Sequence, residues 1–351
     1  MYYLSYLSDY TFFTYITVRS GFAFFIALVL SLFLMPKFIA WAKHIKQPIY
    51  ELAPESHRAK TNTPTMGGLI FISSTLIASL LCIKFDNLLA LMALLCLVLF
   101  CGVGLVDDLA KVLKKDNHSG LSARSKMILL IIASLICVVP LYLSGVVSTE
   151  LFVPFYKYAL FDPGAFMIAF WVLVLISSSN AVNLTDGLDG LATVPSIFSL
   201  ATLGIFMYLG GSAIYSEYLL LPKNLELSEL VIITSALIGA LMGFLWYNCY
   251  PAEIFMGDSG SLSLGGFLGF LALSSKNEIL LLLIGFVFVL ETVSVILQVG
   301  SFKIFHKRVF KMAPIHHHFE KLGWVENKII VRFWSIAFLA NLLAIATIKL
   351  R

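Results

Sequence analysis

The acidic residues of this chain include three short clusters, and the first contains Asp107 and Asp108 in the segment GLVDDLAK. Adjacent residues of a helix point about 100° apart, so one carboxylate faces the neighbouring helices while the other bonds elsewhere. Two carboxylates at the end of an apolar helix are costly unless cations or a metal pair with them, and Lys111 follows one turn later. A charge cluster beside the lipid head groups explains this motif equally well.

The second acidic cluster is SSSNAVNLTDGLDGLA, in which Asp186 and Asp189 would share one face of a helix. Gly187 and Gly190 let a ligand approach the backbone closely, and Asn183 adds an amide. The alternative is a glycine-containing turn with one capping aspartate. A polar cluster this dense between two apolar segments favours a functional site.

The third acidic cluster is MGDSGSLSLGG, where Asp258 stands at the start of an apolar segment. Backbone N–H groups at the start of a helix bind phosphate, and an aspartate there binds a cation that accompanies the phosphate. This pattern is short, and an aspartate that only caps the helix is the alternative.

Histidines and cations lie near the acidic clusters. Three consecutive histidines follow Pro314, whereas zinc ligands normally stand three or four positions apart or on separate elements. The surrounding cations therefore favour a loop that binds an anion, with a loop that binds lipid head groups as the alternative. The histidines are His316, His317 and His318, and the cations around them are Lys307, Arg308, Lys311 and Lys321. Earlier segments of the chain add Arg58, Lys60, Lys111, Arg124 and Lys126, each in an ordinary basic stretch beside an apolar run.

Together these residues supply oxygen ligands for a hard cation and positive charges for phosphate groups. Magnesium is typically held by one or two carboxylates together with the phosphates of a substrate. Beside apolar segments, this set of side chains predicts phosphoryl transfer from a nucleotide-type donor to a lipid acceptor. The sequence contains no Walker A motif and no G-x-G-x-x-G stretch, so neither an ATPase nor a dinucleotide-binding site is indicated.

The composition of the 351-residue chain indicates which elements must position such a site. Hydrophobic residues make up 60% of the chain and charged residues 13%, whereas a soluble domain is about 45–50% apolar and about a quarter charged. One soluble core cannot absorb this much apolar surface, which excludes a cytosolic globular enzyme, a disordered chain and a disulfide-stapled secreted domain. The predicted class is an all-α polytopic integral membrane protein.

Ten apolar runs predict about ten transmembrane helices in a single transmembrane domain, residues 1–351, with five loops that form the site. The eighth run is short for a full span, and the ninth carries Glu291 and Gln298, so both are expected to be tilted, broken or turned toward other helices. The runs are Gly21–Ala40, Gly67–Ile83, Leu88–Val106, Met127–Ser144, Phe166–Ala181, Leu191–Leu209, Leu230–Tyr247, Ser261–Leu273, Ile279–Gly300 and Ile329–Ile348.

The distribution of cations and histidines orients these helices. Most of the 24 lysines and arginines lie in the connections that follow odd-numbered runs, and so do all 7 histidines. The positive-inside rule therefore places these connections in the cytoplasm and both termini in the periplasm. All three acidic clusters then lie on one side of the membrane, which predicts one site that faces the cytoplasm.

At these loops the sequence resembles the family of phospho-N-acetylmuramoyl-pentapeptide-transferases, and the resemblance covers essentially the whole chain. NLTDGLDG and FMGDSGS are similar to the wider superfamily of polyprenyl-phosphate N-acetylhexosamine-1-phosphate transferases, whereas PTMGG and APIHHHFE are specific to the muramoyl-pentapeptide branch. The matching segments are Lys60 with PTMGG, VDDLAK, GLSARSKM, NLTDGLDGLA, the stretch from Asn248 to Asp258 that ends in FMGDSGSL, and MAPIHHHFE.

The resemblance implies transfer of phospho-N-acetylmuramoyl-pentapeptide from its UDP donor to undecaprenyl phosphate, which gives lipid I and UMP in the first membrane step of peptidoglycan synthesis. It also implies Mg²⁺ as cofactor, a place in the bacterial inner membrane, a homodimer, a broken ninth helix and an external hairpin near residues 145–163. Nucleic acid is not an expected partner.

The resemblance further assigns roles to single residues. Asp258 is expected to bind Mg²⁺, and Asp107 and Asp108 to lie beside the lipid phosphate. The lysines expected to neutralise phosphates are Lys60, Lys111 and Lys126. The uridine pocket is assigned to Gly187, Leu188, Asp189 and Phe255, further polar contacts to Asn183, Asp186 and Asn248, and the sugar and diphosphate side to Gln298 and the catalytic tract His316, His317 and His318.

Two mechanisms have been considered for this family, namely an aspartyl-phosphate intermediate and direct attack by the lipid phosphate. A phosphate monoester has its second pKa near ~6, so it is largely dianionic at neutral pH and hardly needs a strong base. Single displacement, with Asp107 orienting or deprotonating the lipid phosphate, is therefore the prediction.

Two other functions compete with this interpretation. The nearest is a transferase that moves N-acetylglucosamine-1-phosphate onto the same lipid, and PTMGG and HHHFE argue against it. The other is a transporter or lipid flippase coupled through Glu291 and Gln298. Transporters usually place polar groups near the bilayer midplane and consist of repeated halves, whereas this sequence gathers its polar residues on one face and shows no repeat.

Overall fold

The computed structural model describes Tyr2 and residues 11–42, 63–114 and 120–349, and the main elements within them are helices. The described part of the chain contains no β-strand, and an antiparallel bridge joins Leu151 to Phe161. Lys60 and Arg58 lie outside the described residues. The helices are α1 Ile16–Ala42, α2 Gly68–Cys82, α3 Leu88–Lys114, α4 Ala123–Ser144, α5 Phe166–Thr185, α6 Thr193–Gly210, α7 Ala213–Leu219, α8 Leu227–Asn248, α9 Gly257–Ser274, α10 Leu281–Ile284, α11 Phe286–Phe305, α12 Ile315–Lys321 and α13 Glu326–Ala346.

Every one of the ten predicted apolar runs contributes to a helix. Eight helices among the described residues are long and apolar enough to cross a membrane, namely α1, α3, α4, α5, α6, α8, α11 and α13. The α2 helix is apolar but shorter. The predicted class, an all-α polytopic membrane protein, is confirmed, while the count of about ten spans and the single domain over residues 1–351 stay predictions.

The α9 helix lies at the centre of the bundle, where it packs most closely against α3 and α5. Every residue of α9 from Ser259 to Ser274 is buried. Small residues allow neighbouring helices to approach closely, because a Cβ at Gly266 would collide with the Phe100 ring. A helix that faces other helices rather than lipid does not need a long apolar run, which explains why the eighth run was short. The prediction that it faces the bundle is confirmed.

The ninth apolar run is interrupted at Gly285, where α10 ends and α11 begins. The α11 helix packs mainly against α5, and apolar side chains such as Ile296 and Phe302 remain exposed on its surface. The prediction of a broken ninth helix is confirmed. An apolar groove lies between α5 and α11, and its lining includes Phe170, Leu268 and Phe288.

A buried ion pair joins α1 to α8 at the end of the bundle away from the acidic clusters. Arg19 near the start of α1 contacts Glu229 in the first turn of α8 with N–O distances of 2.8 and 2.7 Å. The Arg19 guanidinium also donates to the carbonyl of Cys82 at the end of α2. At this same end the bridge between Leu151 and Phe161 closes a hairpin that joins α4 to α5, where the hairpin was predicted.

Candidate active site

Asp108 joins the end of α3 to the beginning of α9. Its carboxylate accepts hydrogen bonds from the backbone N–H groups of Asp258 at 3.0 Å and Ser259 at 2.9 Å. These N–H groups lie in the first turn of α9, which has no acceptors within its own helix and carries the positive end of the helix dipole. Asp108 is only 2% exposed, so it acts as a cap supplied by a neighbouring helix and fixes the position of Asp258.

Two glycines let the start of α9 approach its neighbours at backbone distance. A Cβ at Gly104 in α3 would lie 2.2 Å from the carbonyl oxygen of Asp258. A Cβ at Gly68, at the start of α2, would lie 2.3 Å from the Cα of Gly260. No other residue type fits at these points, which explains the glycine that ends the PTMGG segment.

The Asp258 carboxylate is the point where four elements of the site meet. Its Oδ2 accepts hydrogen bonds from the Nζ atoms of Lys111 at 3.0 Å and Lys126 at 2.8 Å. Its Oδ1 accepts one from the Asn183 amide at 2.9 Å. Because these partners come from α3, α4 and α5, residues far apart in the sequence hold one carboxylate in place.

Asp107 shares the same two lysines. Its Oδ2 lies 2.6 Å from the Nζ of Lys111 and 3.8 Å from that of Lys126. Its Oδ1 accepts a hydrogen bond from the backbone N–H of Leu121 at 2.7 Å. The Asp107 side chain is therefore oriented through both oxygens, and the two lysines stand between two carboxylates.

Asp186 follows the last residue of α5 and adds a further carboxylate to the cluster. Burial, together with the negative charges of Asp258, Asp108 and Asp189, raises the pKa of Asp186 to about 8, which favours its neutral form. The charges of Asp107, Asp108 and Asp258 are balanced among the described residues chiefly by Lys111 and Lys126, so the site carries an excess of negative charge.

This excess of negative charge bears on whether the residues suit a magnesium ion. Within the described residues, no three Asp, Glu, His or Cys side chains are grouped as a ready metal cage. Magnesium is often bound by only one or two carboxylates plus waters and the phosphates of the substrate. Asp258 is reached by two cationic groups at Oδ2, so its position already suits positive charge. The site fits a cation that arrives with a phosphate-bearing substrate.

The turn between α5 and α6 continues the site toward α13. Leu188 is buried in a small apolar cluster with residues of α11 and α13. The backbone N–H of Asp189 lies 3.3 Å from the Glu326 carboxylate, and Asp189 Oδ2 accepts from the N–H of Ala252. The indole N–H of Trp334 donates to the carbonyl of Gly190 at 3.1 Å. The turn is thus fixed from the side of α13 as well as by α5 and α6.

Asn248 and Phe255 shape the loop between α8 and α9. The Asn248 amide donates to the Ile254 carbonyl at 2.9 Å, and its oxygen accepts from the Thr193 hydroxyl at 2.8 Å. The Phe255 N–H donates to the Pro64 carbonyl at 2.9 Å, which connects this loop to the segment before α2. Asn248 is fully engaged in holding this loop, whereas the Phe255 ring is half-buried.

The three consecutive histidines on α12 have three different surroundings. His316 is 1% exposed, and its Nδ1 lies 3.1 Å from a carboxylate oxygen of Glu291 in α11. His317 Nδ1 lies 2.6 Å from the Glu320 carboxylate. His318 Nδ1 accepts a hydrogen bond from the backbone N–H of Lys311 at 3.1 Å. The three consecutive histidines therefore do not share one partner.

Gln298 holds the loop that leads into α12. Its side-chain oxygen accepts from the N–H groups of Val309 and Phe310, and its amide donates to the Phe310 carbonyl at 3.1 Å. Its polar atoms are therefore directed to the backbone of this loop. The structure joins Asp107, Asp108, Lys111, Lys126, Asn183 and Asp258 by direct contacts. The turn after α5 meets α12 where His316 lies against Gly187, whereas Gln298 and His318 contact the loop before α12.

Two carboxylates that support the site were not assigned to it from the sequence. Glu291 was used only to predict an irregular or inward-facing ninth helix and as the coupling residue of a transporter, and Glu326 was not considered. The signal for Glu291 was an acidic residue inside an apolar run, which by default indicates a function. Glu326, in the first turn of α13, gave no signal beyond that of an acidic residue at a helix start.

The fold and the site define a class of membrane-embedded glycosyl transferase, in which helix ends gather carboxylates and lysines. Residues 90–276 match the family model for glycosyl transferase family 4. This segment contains Asp107, Lys126, Asn183 and Asp258, the residues that meet at the centre of the site.

More specific matches identify the family. Residues 60–72 match signature 1 of the phospho-N-acetylmuramoyl-pentapeptide-transferases. Proteins with that name are 78% identical in Campylobacter jejuni strain RM1221, 71% in Campylobacter lari and 58% in Sulfurimonas denitrificans, each over the whole of both chains. The chain belongs to the phospho-N-acetylmuramoyl-pentapeptide-transferase family, which confirms the resemblance and the predicted enzyme class.

Proposed function

We propose that this chain transfers phospho-N-acetylmuramoyl-pentapeptide from UDP to undecaprenyl phosphate at the cytoplasmic face of the bacterial inner membrane, with Mg²⁺ as cofactor. The observation that carries this proposal is the pair of lysines, Lys111 and Lys126, shared by Asp107 and Asp258 at one end of an apolar bundle. Such a site can bind two phosphate-bearing substrates while one of them remains in the lipid.

Asp258 is the residue that would hold Mg²⁺, together with the phosphates of the donor. When bound, the ion would neutralise the charge of the diphosphate and of the group that leaves. Lys111 and Lys126 would then turn from Asp258 toward phosphate oxygens, since each is a flexible cation with several donors. Asn183 would keep Asp258 in place through its contact with Oδ1.

The reaction proposed for these residues is a single displacement. An oxygen of the lipid phosphate attacks the phosphorus next to the sugar, the bond from this phosphorus to the bridging oxygen breaks, and UMP leaves with that oxygen. Asp107 would orient the lipid phosphate through Lys111, because both of its own oxygens are already engaged. A phosphate that is already dianionic needs positioning more than a strong base.

The apolar groove between α5 and α11 supports a polyprenyl acceptor. Its lining includes Ala181 and Val182, just before Asn183 of the site, and continues along Phe170 and Phe288. An isoprenoid chain in this groove would leave its phosphate near the end of α5.

The homodimer expected from the family also remains a proposal. Light scattering of the purified protein in detergent would test it.

The donor and the acceptor can be tested in one assay. Purified protein is incubated with undecaprenyl phosphate, Mg²⁺ and either UDP-N-acetylmuramoyl-pentapeptide or UDP-N-acetylglucosamine, and released UMP is measured. We expect UMP from the muramoyl donor only, and release from UDP-N-acetylglucosamine alone would favour the competing transferase.

The orientation is tested by cysteine labelling at His317 from the periplasmic side of intact cells. We expect no labelling, and efficient labelling would contradict the proposed orientation.

A second experiment separates the two mechanisms. Labelled UMP is mixed with the UDP donor and rigorously delipidated enzyme, and exchange of label into the donor is followed. Single displacement predicts exchange only when undecaprenyl phosphate is added. Exchange without lipid that disappears in Asp107→Asn would instead establish a covalent phosphoenzyme.

A further inference from the structure

We propose that Glu291 is a positioning residue for donor binding, which acts by holding His316 against the turn at Gly187. The inference rests on the proposed function, since the family resemblance assigns Gly187, Leu188 and Asp189 of this turn to the uridine of the proposed donor. Glu291 lies inside α11, in the ninth apolar run, and it is 0% exposed.

A buried carboxylate needs a specific reason to be present. Removing a charged group from water is strongly unfavourable unless partners compensate, and an ionisable residue within a membrane segment usually serves a function. The partners found for the Glu291 carboxylate in the described part of the chain both belong to His316. Its Oε2 lies 3.4 Å from the His316 backbone N–H, and its Oε1 lies 3.1 Å from the ring Nδ1.

The carboxylate determines how the His316 ring is presented. The Glu291 carboxylate lies beside one edge of the ring, with Oε1 3.1 Å from Nδ1, and accepts a hydrogen bond from the His316 backbone N–H, which fixes where the ring can lie. Among the described residues neither ring nitrogen has a hydrogen-bond partner, although the side chain is only 1% exposed.

The ring of His316 is directed at Gly187. A Cβ at Gly187 would lie 2.3 Å from Nε2 and 2.8 Å from the neighbouring ring carbon, so the imidazole occupies the space of a side chain there. The other half of the turn is fixed by Glu326 at Asp189 and by Trp334 at Gly190. Glu291 and His316 supply the corresponding support for the half that contains Gly187.

This arrangement predicts that loss of the hydrogen-bond acceptor at residue 291 weakens binding of the UDP donor but not of the lipid. Glu291→Leu should raise the KM for the UDP donor by about tenfold, the effect of losing one buried hydrogen bond. The KM for undecaprenyl phosphate should stay within about twofold, since Lys111 and Lys126 are unaffected. Glu291→Gln keeps an acceptor oxygen and should recover most of the wild-type donor KM.

The matched control is Ser294→Ala, in the same buried turn of α11. The Ser294 hydroxyl bonds to the carbonyl of Glu291 within its own helix, so its loss should leave both KM values unchanged. Equal rises of both KM values in Glu291→Leu, or a fall in kcat at unchanged KM values, would overturn the proposal. A control as impaired as Glu291→Leu would overturn it as well.

If Glu291→Leu does not fold, a double-mutant cycle tests the contact between His316 and Gly187, through which Glu291 is proposed to act. Gly187→Ala should weaken UMP binding, measured by titration calorimetry, because its Cβ meets the ring. In the His316→Ala background, Gly187→Ala should weaken UMP binding little further, whereas additive losses of binding free energy would refute the contact. Calorimetry with UMP needs no turnover, so it would support or refute this inference even if the wild-type protein failed to use the proposed donor.

Discussion

Replacing Gly104 by alanine is the most direct test of how the bundle positions Asp258. The new Cβ would lie 2.2 Å from the Asp258 carbonyl oxygen and 2.5 Å from the Cα of Ser259. Since non-bonded carbon contacts are optimal near ~3.5–4.0 Å, α3 and α9 would have to separate by about 1 Å. Both atoms that block the methyl group belong to the backbone, so a rotamer change cannot relieve the clash.

The shift should damage turnover more than stability. Overpacking of this kind costs about 1–3 kcal/mol, partly offset by about 1 kcal/mol from the better helix propensity of alanine. A displacement of about 1 Å at a reacting group can lower the rate by about a hundredfold. We therefore expect UMP release by Gly104→Ala to fall by about that factor, while the protein still folds with a modestly lowered thermal midpoint.

Gly102→Ala is the matched control on the same helix. Among the described residues outside its own helix, no atom lies within 4 Å of the Cβ that would be added at Gly102, so this variant should keep its activity and gain the helix propensity. Both variants are compared by UMP release at saturating donor and lipid and by thermal unfolding in one detergent. Near-normal turnover of Gly104→Ala, or an equal loss in both variants, would refute the argument that close packing of α3 against α9 sets the site.

Three further changes probe other parts of the structure. Asp258→Asn should lower UMP release by orders of magnitude while the protein still folds, because it removes the charge proposed to bind Mg²⁺; near-normal activity at limiting Mg²⁺ would exclude that role. Arg19→Met should destabilise the protein by about 3–5 kcal/mol, seen as a lower thermal midpoint, because it leaves the buried Glu229 carboxylate uncompensated. Gln298→Leu removes three hydrogen bonds to the loop before α12, so trypsin should cleave after Lys307 faster than in the wild type, and an unchanged rate would contradict that role.

The class of the protein and the approximate positions of its long helices could be predicted from the sequence, because both depend on local composition, whereas α3 continues eight residues beyond its apolar run to Lys114. A run of about 20 apolar residues indicates a span whatever its neighbours are. The α9 helix is an exception. Its glycines and serines allow close packing against other helices, and these same residues give its run a low hydropathy. The Phe100 ring leaves no room for a side chain at Gly266, and no property of the apolar run itself reveals this contact.

The members of the site could be predicted from the motifs, but their individual contacts could not. Nothing local connects Lys126 to Asp258, since they are brought together only by the packing of α4 and α9 around α3. The Glu291 contact with His316 depends on the chain turning back after α11. Such pairings follow from tertiary structure, so sequence reasoning could place these residues on one face without assigning their partners.

The adjacent aspartates show what the geometry of a single helix can predict about a site. Their difference in direction on the helix predicted that Asp107 and Asp108 would have different partners. The structure directs Asp107 to Lys111 and Lys126, and Asp108 to the backbone at the start of α9. One carboxylate thus fixes the helix that carries Asp258, while the other shares the lysines with it. Because both carboxylates belong to one helix, any change that rotates α3 should disturb the proposed metal ligand and the proposed lipid-phosphate side together.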